Sequence, residues 1–326
     1  MKENDFLRWI AAQLPGRADV PINVGDDMAA VRRPEARSEP GRGSIGDMAL
    51  LKIDQCLDQV HFDLRVHSAQ AAGRKAVNRC LSDCAAMACR PAAILLSVAL
   101  PQTADDAFAQ ALFTGCRDAA AAFDCPIVGG DTGVWDQRLA ITVAAMAWAH
   151  SRPVSRSGAK AGDAICVTGQ LGGSILGRHM TFTPRIEDAQ RLVALADIRA
   201  MMDLSDGLAM DLPRLCHMSG VGAQVELARV PVHADAVRLA NAGEGTGTTT
   251  AAMHALADGE DYELLFTLAQ PEWTKLQGSW PAAPGGCQIT RIGTVTGGGL
   301  VLVDVAGMAG KWPNGGWEHE TARTHG

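Results

Sequence analysis

The sequence predicts a protein of two domains, of which the first is a mixed α/β unit. A chain of 326 residues is longer than a single hydrophobic core usually supports. Apolar runs alternate with helical patterns up to about residue 150, and a segment rich in Pro, Gly and Ser follows at 151–162. We therefore expect an N-terminal domain over 1–150 and a C-terminal domain over 151–326.

The elements of the first domain follow from the spacing of its apolar residues. Helices are predicted where apolar side chains recur every three or four residues, at about 5–14, 68–87 and 104–123. Strands are predicted at the apolar runs 48–54, 94–100 and 139–149, after an irregular strand and turn at 20–31. A short apolar run at 126–128 leads into a pair of glycines.

The second domain restarts with a strand and a glycine turn. Further strands are predicted at 164–168, 201–203, 263–267 and 300–303. A helix is predicted to follow 203–207, with Leu208, Leu212 and Leu215 along one face. Pro213 lies inside that pattern, which predicts either a kink or a later start of the helix.

Short aspartate motifs, most of them next to an apolar run, are the most informative feature of the chain. They are Gly25-Asp26-Asp27, Lys52-Ile53-Asp54, Ser82-Asp83, Gly129-Gly130-Asp131-Thr132, Asp203-Leu204-Ser205-Asp206-Gly207 and Gly259-Glu260-Asp261-Tyr262. Carboxylates gathered at strand ends repel one another unless cations lie between them. Hard cations such as Mg²⁺ bind carboxylates and nucleotide phosphates alike. The pattern therefore predicts metal-dependent phosphate chemistry.

Each motif taken alone also has an ordinary structural explanation. The segment 129–132 could be a plain turn, and Ser205 or Asp206 could cap the helix that follows. Arg79 lies one helical turn before Asp83 and could form an ion pair with it. The glycine turn at 169–174 could hold an anion at a helix start, although it lacks the Gly-Lys-Ser/Thr ending of a Walker A loop.

Composition excludes several classes of function. The chain carries 29 basic and 36 acidic residues and no dense basic block, so neither nucleic acid nor an anionic membrane is expected as a partner. No apolar run is long enough to span a bilayer, and the amino terminus does not resemble a signal peptide. A cytoplasmic location is expected, in which the nine cysteines are reduced thiols. Cys80, Cys84 and Cys89 lack the spacing of a zinc site.

Taken together and in this order, the motifs resemble the thiamine-monophosphate kinase family, which is related to aminoimidazole ribonucleotide synthetase. The matching segments run collinearly from residue 24 to about 267. They are 24–27, Asp54 with 60–62, 81–87, 129–132, 156–163, 167–169, 203–208 and 259–264. No single segment is specific, whereas the ordered set is.

The resemblance implies both a fold and a reaction. The fold is an N-terminal α/β domain, whose mixed sheet packs against its mate in a homodimer, followed by an α+β domain. ATP would lie between the two domains with several Mg²⁺ ions, and K⁺ is a further expected cation. The γ-phosphoryl group would pass directly to the phosphate of thiamine monophosphate, and no protein nucleophile is needed because positioning and charge neutralisation supply the catalysis.

The resemblance also implies roles for individual residues. The expected metal ligands are Asp26, Asp27, Asp54, Asp83, Asp131 and Asp206. The residues expected at the transferred phosphoryl group are Asp131, Ser205 and Asp206. The residues expected at the nucleotide are Gly129, Gly130, Arg156, Gly169 and Asp203. The residues expected at the thiamine substrate are His61, Phe62, Asp261, Tyr262 and Trp317, with Trp312 as an alternative to Trp317.

Two departures from the family pattern keep other functions open. Lys52 and Ile53 precede Asp54 where the family usually has two Ser or Thr residues, and Cys80 stands where it usually has Asn. Lys52 could replace a cation electrostatically or point elsewhere. One alternative is an enzyme with the same ATP and Mg²⁺ machinery that activates an amide or a carboxylate. Another is a protein that binds a nucleotide without turnover.

Overall fold

The structure is a computed structural model, and it describes residues 20–22, 26–32, 48–149, 152–243, 250–280, 287–313 and 315. The helix predicted at 5–14, Trp317 and most of the loop at 241–250 lie outside these residues. The described part contains twelve strands and eight α-helices. Within that part, no helix is both long enough and apolar enough to span a bilayer.

A five-stranded mixed sheet forms the first half of the chain. Its strands are β1 (Ala29–Arg32), β2 (Met48–Leu57), β3 (Arg90–Pro101), β4 (Ile127–Trp135) and β5 (Ala140–Trp148). The strand order is β1-β2-β5-β3-β4, and only β3 and β4 run parallel. The predicted mixed sheet is confirmed. The first and last residues of β3 and β5 differ from the predicted ones by at most four positions.

Two helices lie on the inner face of this sheet. Helix α1 (Ala69–Ala86) packs on β2 and β5, and α2 (Asp106–Ala121) packs against α1. The two helices cross closely at two glycines, because a Cβ on Gly115 would lie 1.9 Å from the carbonyl oxygen of Gln70 and one on Gly73 would lie 2.3 Å from that of Leu112. Small residues at this crossing therefore set the position of α1.

Alternation along β2 separates a polar inner face from an apolar outer face. Lys52 and Asp54 point toward α1, between the buried residues Leu50 and Cys56. The outer face of the sheet has no described layer over it and carries exposed apolar side chains. These are Leu51, Ile53, Leu95, Trp135 and Trp148.

A seven-stranded sheet forms the second half. Its strands are β6 (Ala164–Thr168), β7 (Ile198–Asp203), β8 (Gly222–Glu226), β9 (Leu264–Leu268), β10 (Ile289–Thr296), β11 (Leu300–Val303) and β12 (Ala309–Lys311). The order is β12-β11-β8-β10-β6-β9-β7, and only β8 and β11 run parallel. The predicted α+β character of this half is confirmed.

Six helices accompany this second sheet. They are α3 (Arg178–Thr181), α4 (Ile186–Leu195), α5 (Leu208–Ser219), α6 (Ala234–Ala242), α7 (Ala251–Ala257) and α8 (Gln270–Ser279). Helix α1 of the first half contacts α3, α4 and β7, so it is packed between the two halves. One hydrophobic core accordingly contains residues of both, such as Leu81 and Phe266.

Pro213 is accommodated inside α5, which begins at Leu208 rather than after the proline. A proline has no N–H, so the carbonyl of Ala209, four residues earlier, loses its helical donor. The indole Nε1 of Trp312 donates to that carbonyl at 2.8 Å. A residue 103 positions away thus supplies the hydrogen bond that the helix lacks.

The paired glycines at 129–130 do not form a turn. They lie inside β4, because the strand continues from Ile127 to Trp135. A Cβ on Gly130 would lie 1.9 Å from the carbonyl oxygen of Leu96, so glycine allows β4 to approach β3 closely. Composition alone suggests a turn at such a pair, whereas the contact with the neighbouring strand explains it.

Candidate functional site

Three buried aspartates from distant parts of the chain meet between the two halves. Asp27 precedes β1, Asp83 lies near the end of α1, and Asp203 is the last residue of β7. Each contributes one carboxylate oxygen, and these three oxygens all lie within 4.8 Å of one another. Burial and mutual repulsion raise the pKa of Asp83 well above its usual value and that of Asp203 to about 6. Such a buried group of hard oxygen donors fits a divalent cation.

Arg156 pairs with the first of these aspartates. Its Nε and Nη2 atoms lie 3.0 Å and 2.7 Å from the two carboxylate oxygens of Asp27. Its backbone N–H donates to the carboxylate of the neighbouring Asp26. Burial and the charge of Asp27 raise the pKa of Asp26 to about 6. The predicted nucleotide residue Arg156 and the predicted metal ligands Asp26 and Asp27 are therefore brought together.

Lys52 pairs with the second aspartate. Its Nζ lies 2.9 Å from Asp83 Oδ1. Burial lowers the pKa of Lys52, but the charges of Asp83 and Asp54 outweigh it and hold that pKa above its ordinary value. Arg79, which the sequence allowed as the partner of Asp83, instead lies with its Nε 3.4 Å from Asp54 Oδ2. Lys52 therefore points into the cluster.

Asp203 accepts a short hydrogen bond from a serine on α1. Ser82 Oγ lies 2.6 Å from Asp203 Oδ2, and both side chains are buried. This contact fixes the carboxylate of β7 against the first half of the chain. Asp203 was predicted as a nucleotide contact, and the structure places it in the carboxylate cluster itself.

Asp131 lies apart from this cluster. Asp131 on β4 lies opposite Ser97 on β3, and Ser97 lies opposite Thr142 on β5. The side chains of these three residues are on the outer face of the first sheet. Asp54 lies on the opposite, inner face. Asp131 and the exposed Gly129 are therefore not brought to the buried aspartates within one chain.

Asp206 lies at the edge of the site, just before α5. Its carboxylate pairs with Arg214, which also lies 2.9 Å from Asp211 Oδ1. The N-cap residue of α5 is Gly207, and no side chain caps the helix there. The capping alternative for Ser205 and Asp206 is therefore not observed. Ser205 instead anchors the neighbouring loop, because its carbonyl accepts from the N–H of Glu260 at 2.7 Å.

The glycine turn after β6 binds carboxylates of the chain itself. The N–H of Gly172 lies 3.0 Å from each oxygen of Asp261, and that of Gly173 lies 2.8 Å from Asp258 Oδ2. Gly169 has a φ of 58°, and a Cβ there would lie 2.1 Å from the side chain of Glu263. Amides of the predicted phosphate turn are thus occupied by Asp258 and Asp261.

Two of the residues predicted at the thiamine substrate, His61 and Tyr262, lie near Glu260. Tyr262 is buried, stacks on Phe182 with 3.9 Å between ring centroids, and donates to Glu260 Oε1 at 3.2 Å. His61 accepts from the N–H of Leu57 through Nδ1, and burial lowers its pKa to about 3. Phe62 is buried in the hydrophobic core.

A buried ion-pair network beside this region was not predicted. Lys75 is fully buried, and its Nζ lies 2.8 Å from Glu260 Oε1 and 2.7 Å from His179 Nδ1. Burial raises the pKa of Glu260, but hydrogen bonds from His179 and Lys75 outweigh it and lower that pKa to about 2. The only signal in the sequence is the spacing of Lys75, Arg79 and Asp83, which places all three on one face of α1.

Family models and individual relatives both identify the family to which the chain is similar. Models of the AIR synthase related protein family match residues 25–149 with its N-terminal domain and residues 160–305 with its C-terminal domain. A thiamine-monophosphate kinase of Rhodopirellula baltica is 35% identical over 299 residues, which cover 90% of each chain. That of Escherichia coli K12 is 32% identical over 89% of each chain.

A solved structure, described as AaThiL complexed with AMPPCP and TMP, has the same fold over nearly its whole length. It superposes with a TM-score of 0.79 at 26% sequence identity, and covers 98% of this chain and 97% of its own. The similarity therefore extends over both halves of the chain. The chain belongs to the thiamine-monophosphate kinase family within the AIR synthase related proteins.

Proposed function

We propose that the chain transfers the γ-phosphoryl group of ATP to the phosphate of thiamine monophosphate, giving thiamine diphosphate and ADP. The observation that carries this proposal is the buried cluster of Asp27, Asp83 and Asp203 between the two halves. It lies in a chain whose relatives are thiamine-monophosphate kinases, and a similar structure holds an ATP analogue together with TMP.

The cluster would hold Mg²⁺ ions through carboxylate oxygens. When bound, these ions would offset the negative charge of the two reacting phosphates. Asp27, Asp83 and Asp203 supply the buried ligands, and Asp26 and Asp54 lie next to them in sequence or space. Arg156 would orient the nucleotide phosphates, because its guanidinium already lies against this cluster. Asp206 and Ser205 would border the transferred phosphoryl group. A requirement for K⁺ stays a prediction.

Direct transfer agrees with the absence of an activated thiol among the described cysteines near the site. Cys80 is buried and its Sγ lies 3.4 Å from the carbonyl oxygen of Val143. Burial and the charge of Asp83 raise the pKa of this thiol well above its usual value. A protonated, enclosed thiol is a poor nucleophile, so Cys80 acts as a small core residue.

The thiamine end of the substrate would lie beside His61 and Tyr262. His61 is neutral at physiological pH because its pKa is low, so it would not repel the cationic thiazolium ring. Tyr262 and Phe182 form a stacked aromatic wall, and Glu260 supplies a carboxylate there. Asp261 would act indirectly, since it holds the glycine turn. Phe62 would support His61 from the core, and Trp317 stays a prediction outside the described residues.

We further propose a homodimer formed through the outer face of the first sheet. Ile53 is 68% exposed and Leu95 is 47% exposed on this face, and contiguous apolar surface of this kind favours association. Two copies that pack through it would cover these side chains. Asp131, Gly129 and Gly130 lie on the strand at its edge, so their proposed contacts with metal and nucleotide would be made in the dimer rather than within one chain. The limits 1–150 and 151–326 stay our proposed division into domains.

A coupled assay of ADP release tests the proposed reaction. ADP should be released from ATP and Mg²⁺ only when thiamine monophosphate is present, and mass spectrometry should find thiamine diphosphate. Asp203→Asn should abolish this product, because it removes the charge of a buried ligand. Asp118→Asn, at an exposed ion pair on α2, should leave it unchanged. ATP turnover that does not respond to thiamine monophosphate would point to another acceptor, and ATP binding without turnover to a binding protein.

A further inference from the structure

Two ion pairs join strand β2 to helix α1 directly at the carboxylate cluster. Lys52 and Asp54 are two residues apart on the inner face of β2. Arg79 and Asp83 are four residues apart on the face of α1 that meets the strand. Lys52 pairs with Asp83 at 2.9 Å, and Arg79 pairs with Asp54 at 3.4 Å. Strand and helix run in opposite directions here, so the first charged residue of β2 pairs with the later residue of α1, and the second with the earlier one.

The spacings of the two elements match. Two residues along a strand advance by about 6.6 Å, and four residues along a helix advance by about 6 Å. Both pairs can therefore form at once without bending either element. A lysine at 52 and an arginine at 79 are consequently held in place by the backbone geometry of β2 and α1, rather than by chance contacts of flexible side chains.

These pairs change the charge of the site. The carboxylates of Asp27, Asp83 and Asp203 carry a formal charge of −3, and the pairing of Arg156 with Asp27 and of Lys52 with Asp83 brings this to −1. Of the three, Asp203 is the one whose described side-chain partner is a neutral hydroxyl. The direct cationic contacts of the cluster therefore lie at Asp27 and Asp83.

We propose that Lys52 is a resident cation of the site, which occupies the place of one divalent ion beside Asp83. Arg79 offsets the negative charge of Asp54, which lies two residues after Lys52 on the same face of β2. This inference rests on the proposed function, because it concerns the same metal site. It predicts that the chain binds fewer divalent ions than its carboxylates would otherwise hold, with the remaining ions on the side of Asp203.

Direct counting of bound Mn²⁺ tests this inference. Free Mn²⁺ would be measured by its paramagnetic resonance signal during titration of the full chain, with and without AMPPCP. Lys52→Met and Lys52→Thr remove the positive charge, and the threonine also adds a neutral oxygen ligand. Each should bind at least one more Mn²⁺ per chain, or bind Mn²⁺ at least about tenfold more tightly, because a unit charge a few Å away is removed.

Two further variants keep the result interpretable. Lys52→Arg retains the charge and should bind Mn²⁺ as the wild type does. Lys275→Met removes a lysine from an exposed ion pair on α8 and should also change nothing. If Lys52→Met does not fold, Lys52→Thr and Lys52→Arg still give the comparison, with thermal unfolding as the measure of folding.

The inference is overturned if folded Lys52→Thr binds Mn²⁺ with the number and affinity of the wild type, or if Lys52→Arg gains Mn²⁺ as the neutral variants do. Failure of the proposed function has a different signature. It would appear as an absence of thiamine diphosphate in the wild-type assay, whatever the number of bound Mn²⁺ ions.

Discussion

The hydroxyl of Ser82 donates a hydrogen bond of 2.6 Å to Asp203 across the junction of the two halves of the chain. Ser82 lies on α1 and Asp203 ends β7, 121 residues later. Because both are buried, no solvent competes for this contact. The hydrogen bond ties Oδ2 of Asp203 to α1, and the same carboxylate belongs to the cluster.

Ser82→Ala should therefore weaken metal binding without removing a ligand. We expect a fall of about 10- to 100-fold in kcat/KM, the range usual for groups that orient metal ligands. Because the ligand is still present, added Mg²⁺ should recover much of the loss. Steady-state kinetics at a series of Mg²⁺ concentrations would measure both effects. Ser279→Ala, at an exposed hydroxyl of α8, serves as the control. Unchanged kinetics in folded Ser82→Ala would exclude an orienting role.

The burial of Asp261 should make stability depend on pH in an unusual direction. Burial raises the pKa of this carboxyl to about 7, although Arg178 and the amide of Gly172 lower it. At pH 5 the folded protein then binds a proton that the unfolded chain has released. This group therefore stabilises the fold near and below pH 4, and its contribution is lost as the pH rises through about 7.

Asp261→Asn removes this dependence. Between pH 5 and pH 8, the melting temperature of the wild type should fall relative to that of the variant. Parallel thermal unfolding curves of both proteins over this range measure the difference. The comparison concerns the slope against pH, so a constant loss of stability from the weaker bond to Arg178 does not affect it. Parallel slopes would show that Asp261 ionises normally.

The indole of Trp312 should stabilise α5 only because of Pro213. Trp312→Phe leaves the carbonyl of Ala209 without a donor and should lower the free energy of unfolding by about 1–2 kcal/mol. In a Pro213→Ala background the helix supplies its own N–H to that carbonyl, so the same substitution should have a smaller effect. A double-mutant cycle by chemical denaturation measures the coupling. Equal effects in the two backgrounds would contradict this explanation.

A charge on the outer face of the first sheet should break the proposed dimer. Leu95→Asp places a carboxylate on that face, where the native leucine is 47% exposed. Sedimentation should then show a monomer, whereas the wild type sediments as a dimer. Val237→Asp is a matched control, since Val237 is 44% exposed on α6. A wild-type protein that sediments as a monomer would contradict the proposed homodimer.

Local patterns predicted much of the fold. The strands at 164–168 and 300–303 have the predicted bounds, because each is a continuous apolar run with a clear end. Helix α1 differs from its prediction by one residue at each end. Strand β4 was missed, since glycines that indicate a turn are there required by the close approach of β3.

The site was predicted less fully, because its contacts join distant residues. Sequence order indicated which aspartates matter, but not that Asp131 lies on the opposite face of the sheet from Asp54. Asp261 was expected at the substrate, and its role in holding the glycine turn depends on amides 89 residues earlier. Lys75 and Glu260 are separated by 185 residues, so no local pattern relates one to the other.

Helix α1 belongs to both halves of the molecule, which has a consequence for how the protein unfolds. One face packs on the first sheet, while Lys75, Asn78 and Ser82 bond to residues of the second half. Cutting the chain between the halves would leave a buried ammonium and a buried amide facing water or apolar surface. The two sequence domains should therefore melt together in a single transition, and neither half should persist as a folded fragment when the other is removed.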